Sequence, residues 1–492
     1  MGWIKRMVRK MMEIVPVQAH VGSILSDADF GKEVMRNKVW YRGNEAELSQ
    51  FYGMTDDLVG NKSFWAASGG NSGIRKMHSG LPAMIVDTIA DVAVGDLLGV
   101  RVVETAGASV DCRASLAMTN QKDAQGVWDA VAQENGFYRL LGKAVRKALA
   151  FGDGAFKISF DADVSRYPIV EFFSADRVRF VYRRGRVAEV VFLQEVIRGR
   201  ERYVLEEIYG GDGIRYRVIG EDGREVDVDC FATLAMTNHA DLRHNCGMNL
   251  AVPLIFDENP KHEGRGKSIF DGKIGAFDAL DEVLSQWVDA LRDGRAQKYI
   301  PIGLLPRDPR NGRVMGLSAF QSRFITTEMD MAEGADNSIK VVQPHIDTAA
   351  MAESAQYFIQ LALQGVLAPA TLGMDLKRRD NAEAQREKEK ATLYTRGKVI
   401  GVLREVVAQV AVACVTAYDA YYGNEKVEYE ATVEFGEYAA PDFGSQVETV
   451  GKGVQMGVIS VENAVEQLYG GSWSEEMKRE EVERLCGKTS TC

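Results

Sequence analysis

The chain has 492 residues, which is long enough for two or three structural regions with substantial cores. Its hydrophobic fraction of 46% and charged fraction of 26% are those of a globular protein and exclude a disordered or fibrous chain. The net charge of −11 argues against a protein that grips nucleic acid through a basic surplus, so any DNA that it meets would be guided or repelled rather than held.

The six cysteines predict neither a disulfide framework nor a zinc ribbon. They are scattered along the chain without a Cys-x-x-Cys pair, at positions 112, 230, 246, 414, 486 and 492. No Ser/His/Asp or Cys/His constellation can be assembled from the six dispersed histidines. We therefore expect no catalytic residue, no metal and no cofactor.

The first fifteen residues predict an amphipathic helix. From Trp3 to Val15, the basic residues Lys5, Arg6, Arg9 and Lys10 lie opposite an apolar side that includes Met7 and Met11. Such a helix could lie on a membrane surface or dock against protein, and the pattern is broad enough to fit either. No stretch of eighteen uninterrupted apolar residues follows, so the sequence predicts a chain made in the cytoplasm without a membrane span.

The first half of the chain reads as helices followed by a β meander. Leucine, isoleucine and valine at helical spacing predict a helix over 81–94, and a second helix is predicted over 125–151. Between 152 and 230, β-branched and aromatic runs alternate with turn signals such as RRG, GGDG and EDG. This alternation predicts an antiparallel sheet.

The second half predicts a helical hairpin with a small β tip. Apolar residues keep helical spacing from 268 to 298, a rod of roughly 45 Å at 1.5 Å per residue. An insert with three prolines and the strand-like SIKVVQP follows, and a helix returns over 347–367. After the interruption APATLGMDLKRRDN come a helix of about forty residues to Tyr422, the strand-like VEYEATVEF and a helical C-terminal region.

One segment suggests an alternative, a nucleotide-binding enzyme. Gly266-Lys267-Ser268 opens a helix where a phosphate-cradling loop would sit. The first glycine of such a loop should fall at position 261, which is Lys261. The match is therefore half a motif, and a glycine turn capped by Ser268 is the competing interpretation.

Charged residues cluster at two places in the second half. The predicted first helix of the hairpin carries a row of carboxylates, at Asp271, Asp278, Asp281, Glu282, Asp289 and Asp293. On a monomer they would form a solvated face, and in a ring they would form bands of negative charge. In the interruption, Lys377, Arg378 and Arg379 could contact phosphates or pair with the neighbouring carboxylates Asp375, Asp380 and Glu383.

The order of these segments resembles the portal family of tailed bacteriophages across nearly the full length. The segments that carry the resemblance are VWYRGNEAELSQFYG, LPAMIVDTIADVAVGD, ALAFGDGAFKISFD, IFDENPKHEGRGKSIFDGKIGAFDALDEVLSQ and GVQMGVISVENAVEQL. Each is weak alone, and their order and spacing together are fairly specific.

The resemblance implies an α+β fold in a dodecameric ring. The implied regions are a wing at 1–265, a stem of two helices at 266–298 and 346–365, a clip at 299–345, a tunnel loop at 366–381, a long wing helix at 382–430 and a crown at 431–492. A ring needs head-to-tail interfaces that close by rotation, and an exposed strand pair at a tip can supply one. Another structural virion protein, such as a head–tail adaptor, is a further alternative.

The resemblance also implies a non-enzymatic function in the virion, at one capsid vertex. The ring would be the channel for DNA packaging, genome retention and ejection. Its implied partners are double-stranded DNA, the terminase large subunit, a head-completion or adaptor protein, and the major capsid and scaffolding proteins, with no membrane.

Three sets of residues are expected to carry this function. The channel-lining stem residues are Asp271, Asp278, Glu282 and Asp289. The tunnel-loop residues are Thr371, Met374, Lys377, Arg378 and Arg379. The clip residues that would dock partners are Arg307, Arg310 and Arg313.

Overall fold

A computed structural model of the chain describes most of the sequence. The described residues are 24–55, 63–66, 74–105, 124–198, 201–226, 242–243, 246–294, 297–301, 310, 323–327, 338–343, 345–374, 389–424, 427–436, 443–469, 473 and 475–486.

Helices and strands both contribute heavily, which confirms the predicted α+β class. The helices are α1 (Ile24–Arg42), α2 (Glu45–Thr55), α3 (Leu81–Val94), α4 (Ala124–Asn135), α5 (Phe137–Phe151), α6 (Ile274–Asp293), α7 (Thr348–Leu363), α8 (Lys390–Tyr422), α9 (Phe443–Gln455), α10 (Val461–Tyr469) and α11 (Glu475–Cys486). The strands are β1 (Leu97–Glu104), β2 (Asp153–Ser159), β3 (Ile169–Ser174), β4 (Val178–Arg183), β5 (Arg186–Arg198), β6 (Glu201–Gly210), β7 (Gly213–Gly220), β8 (Glu225–Val226), β9 (Leu242–Arg243), β10 (Ala251–Ile255), β11 (Gln297–Pro301), β12 (Arg323–Thr327), β13 (Lys340–Val342) and β14 (Tyr429–Phe435).

The predicted meander is confirmed for β4 to β8, whereas β2 and β3, predicted to belong to the same sheet, lie in another one. Strands β4 to β8 pair antiparallel in chain order, and β9 adds to β7. The two residues between β4 and β5, Arg184 and Gly185, both have positive φ, which is the backbone that a tight two-residue hairpin needs. A separate antiparallel sheet has the order β10-β2-β3.

Helix α8 runs through the hydrophobic core. Its buried side chains are almost all small or β-branched, and they include Val399, Leu403, Val407, Val410 and Cys414. By length and composition alone this helix could cross a membrane, but in this fold it packs against α3, α4, β2, β10 and β14. Its apolar character is therefore explained by its place in the core.

Strand β14 belongs to a two-stranded antiparallel ribbon with β1, with Val100 opposite Val433. The other edge of β1 is capped by one side chain. The amide of Gln125 accepts from the Val102 N–H at 2.7 Å and donates to the Val100 carbonyl at 3.1 Å. Strand β14, which lies largely in the crown that the resemblance implies, thus pairs with a strand from the N-terminal half of the chain.

Helices α6 and α7 form the predicted hairpin, with a short sheet at its tip. At one end, Lys273 donates to the carbonyls of Leu361 and Gln364, and at the other end Gly294 lies against Ile346. The helices are therefore antiparallel, and α6 is about 30 Å long. At the tip, β11 pairs parallel with β12 and antiparallel with β13.

The first hairpin helix is shorter than predicted, since it begins at Ile274 rather than near 268 and ends at Asp293. The residues before it contact the end of α5, where the Ile269 N–H donates to the Leu149 carbonyl, and Gly272 has a positive φ of 77°, a backbone that a right-handed helix does not contain. Beyond it, 297–301 form β11 because they pair in the tip sheet.

Candidate functional site

Part of the polar stripe of helix α6 is covered by other segments of the chain. Asp278, Asp281 and Ser285 are spaced three and four residues apart, so they share one face. That face meets the segments 63–66 and 74–80. The acidic row predicted from sequence is therefore divided, and part of it is buried inside the chain.

Asp281 is the centre of a buried hydrogen-bond network, and its side chain is 0% exposed. Oδ2 lies 2.7 Å from Nδ1 of His78 and accepts from the indole N–H of Trp65 at 3.1 Å. Oδ1 accepts from the backbone N–H of Ser79 at 2.8 Å. One carboxylate thus ties two separate segments to α6.

Ser285 extends this network by one turn of helix. Its hydroxyl accepts from the Met77 N–H at 2.9 Å and donates to the Asp281 carbonyl at 2.6 Å. Among the described residues Nε2 of His78 has no hydrogen-bond partner, so the His–Asp pair has no nucleophile in reach. We read the network as structural because its contacts join parts of the fold.

Two of the four predicted channel-lining residues are engaged within the chain. Asp278 accepts from the Ser63 hydroxyl at 2.8 Å and the Phe64 N–H at 2.9 Å. Burial raises the pKa of Asp278, and those two hydrogen bonds partly oppose the rise. The expectation of a solvated face is wrong for this residue, because its carboxylate serves as acceptor for the segment 63–66.

Asp271 lies before α6 and is also nearly buried, with a side chain 9% exposed. Its Oδ1 is 3.6 Å from the guanidinium of Arg36, beyond hydrogen-bond distance. Burial and the nearby Glu33 carboxylate raise the pKa of Asp271, and Arg36 opposes them. This carboxylate does not lie on a solvated face either.

Glu282 and Asp289 lie four residues beyond Asp278 and Ser285, on the same stripe of α6, with Gln286 between them in sequence. Glu282 accepts from the Gln286 amide at 3.0 Å, an exposed contact one turn apart. Both carboxylates are partly exposed. They are the members of the predicted set that lie on an accessible surface of the hairpin.

The described part of the predicted tunnel loop is a short 3-10 turn, Pro369–Leu372, anchored to α8. The Thr392 hydroxyl is buried, accepts from the Ala368 N–H at 2.9 Å and lies 2.8 Å from the Thr371 hydroxyl. Met374 is 41% exposed. The polar atom of Thr371 thus faces α8, while Lys377, Arg378 and Arg379 lie outside the described residues.

The tip of the hairpin presents an edge strand. All three residues of β13 are exposed, and Val341 and Val342 are 59% and 49% exposed. Because successive side chains point to opposite faces, apolar groups lie on both faces of this edge. Of the predicted docking residues, Arg310 is an exposed turn residue, and Arg307 and Arg313 lie outside the described residues.

The segment 264–268 does not form a phosphate-binding loop. The N–H of Gly266 donates to Asp153 at 2.8 Å, and those of Lys267 and Ile269 donate to the carbonyls of Asp257 and Leu149. The Ser268 hydroxyl is buried and donates to the Ala150 carbonyl at 2.6 Å. The donors that a phosphate would need are therefore used within the fold.

Arg265 completes this junction. Its guanidinium makes two hydrogen bonds of 2.9 Å to the carboxylate of Asp153, which is fully buried. It also donates to the Ala175 carbonyl at 2.9 Å and lies over the ring of Phe30. The glycine-rich segment thus connects the hairpin to the start of β2. In the part of the chain that the structure describes, no group of three His, Cys, Asp or Glu could hold a metal ion.

Comparison with known proteins gave structural neighbours only. No protein-family model matches the chain, and no curated protein matches it. Among solved structures, a chain of the virion of a native gene transfer agent particle is similar at 14% identity and a TM-score of 0.39, covering 82% of this chain and 89% of that one. A chain of the native particle's neck, computed with twelvefold symmetry, is similar at 13% identity and a TM-score of 0.38. The match covers 82% of this chain and 89% of that one. A chain of the empty particle's neck, computed with sixfold symmetry, is similar at 15% identity and a TM-score of 0.39. The match covers 86% of this chain and 95% of that one.

Proposed function

We propose that this chain is a phage portal protein, which assembles into a ring of about twelve copies and forms the DNA channel at one capsid vertex. The observation that supports the proposal most is the hairpin of α6 and α7, whose tip has three described strands with β13 at the edge of the sheet that they form. A hairpin that projects a strand edge can join its neighbour by strand addition, and repetition of one such head-to-tail contact closes a ring.

Exposed apolar side chains on the hairpin support an interface between copies. Large apolar residues that are 40% to 63% exposed occur along α6, β13 and α7, at Leu291, Ile339, Val341, Val342, Tyr357 and Leu361. An open groove of about 450 Å³ lies beside Tyr357 and Leu361, where α7 ends and α8 begins. Exposed large apolar side chains of this kind are typical of a contact with another protein.

The accessible carboxylates of α6 suit the inner wall of a channel. In a ring, Glu282 and Asp289 would repeat as two negative bands along the stem. Such bands repel the phosphates of duplex DNA within a Debye length of about 8–10 Å and so weaken nonspecific binding of the DNA to the channel wall. In this proposal, the segment after Met374, with Lys377, Arg378 and Arg379, contacts the DNA, and the tip docks the terminase and neck proteins.

The experiment that tests the proposed assembly places a charge on the tip edge. Val341→Glu should reduce the native mass from a ring to single chains or small oligomers, because a carboxylate in an apolar strand interface is left without a partner. Native mass spectrometry measures the change, and the thermal unfolding midpoint should stay within about 2 °C because the side chain is already exposed. Leu98→Glu, at an exposed position of β1, is the matched control and should leave the ring intact. Rings of unchanged mass in the Val341 variant would contradict assembly through this edge.

A further inference from the structure

An exposed aromatic surface lies at the end of α8. It consists of Phe160, Tyr167, Tyr418, Tyr421 and Tyr422. The ring of Tyr421 stacks on Phe160 with centroids 3.7 Å apart, and Tyr418 stacks on Tyr167 at 5.8 Å. Tyr422 contacts Tyr418 at 4.7 Å. Tyr421 and Tyr422 nevertheless stay 50% and 47% exposed, so about half of each residue's surface remains accessible.

The aromatic surface is held in place by hydrogen bonds. The hydroxyl of Tyr422 donates to the Arg166 carbonyl at 3.0 Å. On the same helix, Asp419 accepts from the Tyr429 hydroxyl at 2.6 Å and from the Asn424 amide at 2.8 Å. These contacts fix the end of α8 against both the loop after β2 and the strand β14. A surface with fixed rings loses little conformational entropy when a partner binds.

The charges around the aromatic surface are mainly negative. Asp161 and Asp163 follow Phe160 directly, and the exposed Glu134 accepts from the Ser165 hydroxyl at 2.7 Å. Arg166 is the one basic residue in the sequence from 160 to 168. Aromatic faces attract cations, and nearby carboxylates strengthen that attraction. The surface therefore fits a partner segment with lysine or arginine on one side and apolar groups on the other.

We propose that the occupant is the chain's own basic segment at residues 3–15. The segment has four basic residues, Lys5, Arg6, Arg9 and Lys10, against one acidic residue, Glu13. Its methionine and valine side chains would cover the exposed tyrosine rings, which is a favourable sulfur–aromatic and apolar contact. We choose this segment because its positive charge is complementary to the carboxylates around the aromatic surface and because its apolar side chains match the exposed rings.

The length of the connecting chain limits how far the segment can reach. Residues 16–23 can span up to roughly 26 Å when extended. The start of β2 lies close to α1, since Arg265 contacts both Asp153 and Phe30. Phe160 follows the other end of β2, and a strand of that length is about 23 Å long. A further about 9 Å of helix separates Phe30 from the start of α1 at Ile24, and the carbodiimide coupling described below tests whether the segment reaches the aromatic surface. The proposal is independent of the ring.

The test is a binding titration with a synthetic peptide of residues 1–16. The receiving protein is the full-length chain in which Lys5, Arg6, Arg9 and Lys10 are replaced by Gln, so that its own segment does not compete. Fluorescence anisotropy of the labelled peptide should show saturable binding that weakens as salt rises. The double change Tyr421→Ala and Tyr422→Ala should weaken binding by about tenfold or more, as the loss of central aromatic contacts does.

Two controls make the outcome decisive. Tyr357→Ala removes an equally exposed tyrosine from α7 and should leave the affinity unchanged. A peptide with Gln at its four basic positions should not bind. In the unaltered chain, carbodiimide should couple Lys5 or Lys10 to Asp161 or Asp163, as read by mass spectrometry. Absence of saturable binding, or binding that is unaffected by the tyrosine double change, would overturn the proposal.

Discussion

Replacing Asp281 with alanine should lower the free energy of unfolding by about 3–5 kcal/mol, the cost of removing one partner from a buried charged contact. The change leaves the Trp65 indole, His78 and the Ser79 N–H without their acceptor in a water-free site. Each unsatisfied buried donor costs about 1–3 kcal/mol. Chemical denaturation measures the loss.

In the same variant, one specific hydrogen, that of the Trp65 indole N–H, should exchange faster with solvent. In the native chain the Trp65 indole N–H is held at 3.1 Å by a fully buried carboxylate, so its exchange with solvent should be slow. In the Asp281 variant that exchange should accelerate by at least about a hundredfold, as NMR of ¹⁵N-labelled tryptophan would show. Asp289→Ala, at a partly exposed position of α6, is the matched control, and it should change the free energy of unfolding by no more than about 0.5 kcal/mol. Equal effects of the two changes would refute the buried network.

Gly266→Ala should destabilise the chain by about 3 kcal/mol, at the upper end of what overpacking costs. A Cβ at this position would lie 2.6 Å from the carbonyl carbon of Gly152 and 2.8 Å from Cβ of Asp153, which are rigid neighbours. The backbone would have to separate, and the hydrogen bonds of Gly266 and Arg265 to Asp153 would weaken with it. The thermal unfolding midpoint and denaturant titration both report this change.

Substitutions at two nearby residues distinguish the packing role of Gly266 from a role of this segment in nucleotide binding. Gly275→Ala lies in open space on α6 and should stabilise by roughly 0.5–1 kcal/mol, because alanine is the better helix residue. Lys267→Ala removes an exposed side chain and should leave stability nearly unchanged. If ATP stabilised the unaltered chain and Lys267→Ala abolished that effect, the segment would be a phosphate loop after all.

Periodicity alone predicted most of the architecture. The meander of β4 to β8, the helix over 81–94 and the hairpin with its β tip all follow from local spacing and turn residues, whereas local spacing did not reveal that β2 and β3 pair with the distant β10. The predicted single helix over 125–151 is instead two helices, α4 and α5, because Gly136 adopts a positive φ of 56°. A lone glycine inside a helical pattern gives no sign of whether it continues the helix or ends it.

The functions of the α6 carboxylates could not be read from sequence. Asp278, Asp281 and Glu282 look alike in a helical pattern, yet Asp281 is fully buried, Asp278 accepts from the Phe64 N–H, and Glu282 is partly exposed and accepts from the neighbouring Gln286. Their partners Ser63, Trp65 and His78 are about two hundred residues away, so no local pattern links them. One signal was present in the sequence. On the helix, Asp281 and Ser285 are neighbours of the apolar positions Phe277, Leu280 and Leu284, so both polar residues lie at the border of the buried face.

The native mass of the purified full-length chain, with negative-stain images of the same fraction, tests the portal proposal most directly. The proposal predicts a closed ring with a central opening and a mass of about twelve times the 54.3 kDa chain. A chain that stays monomeric at every concentration, or a compact particle without a central opening, would contradict it.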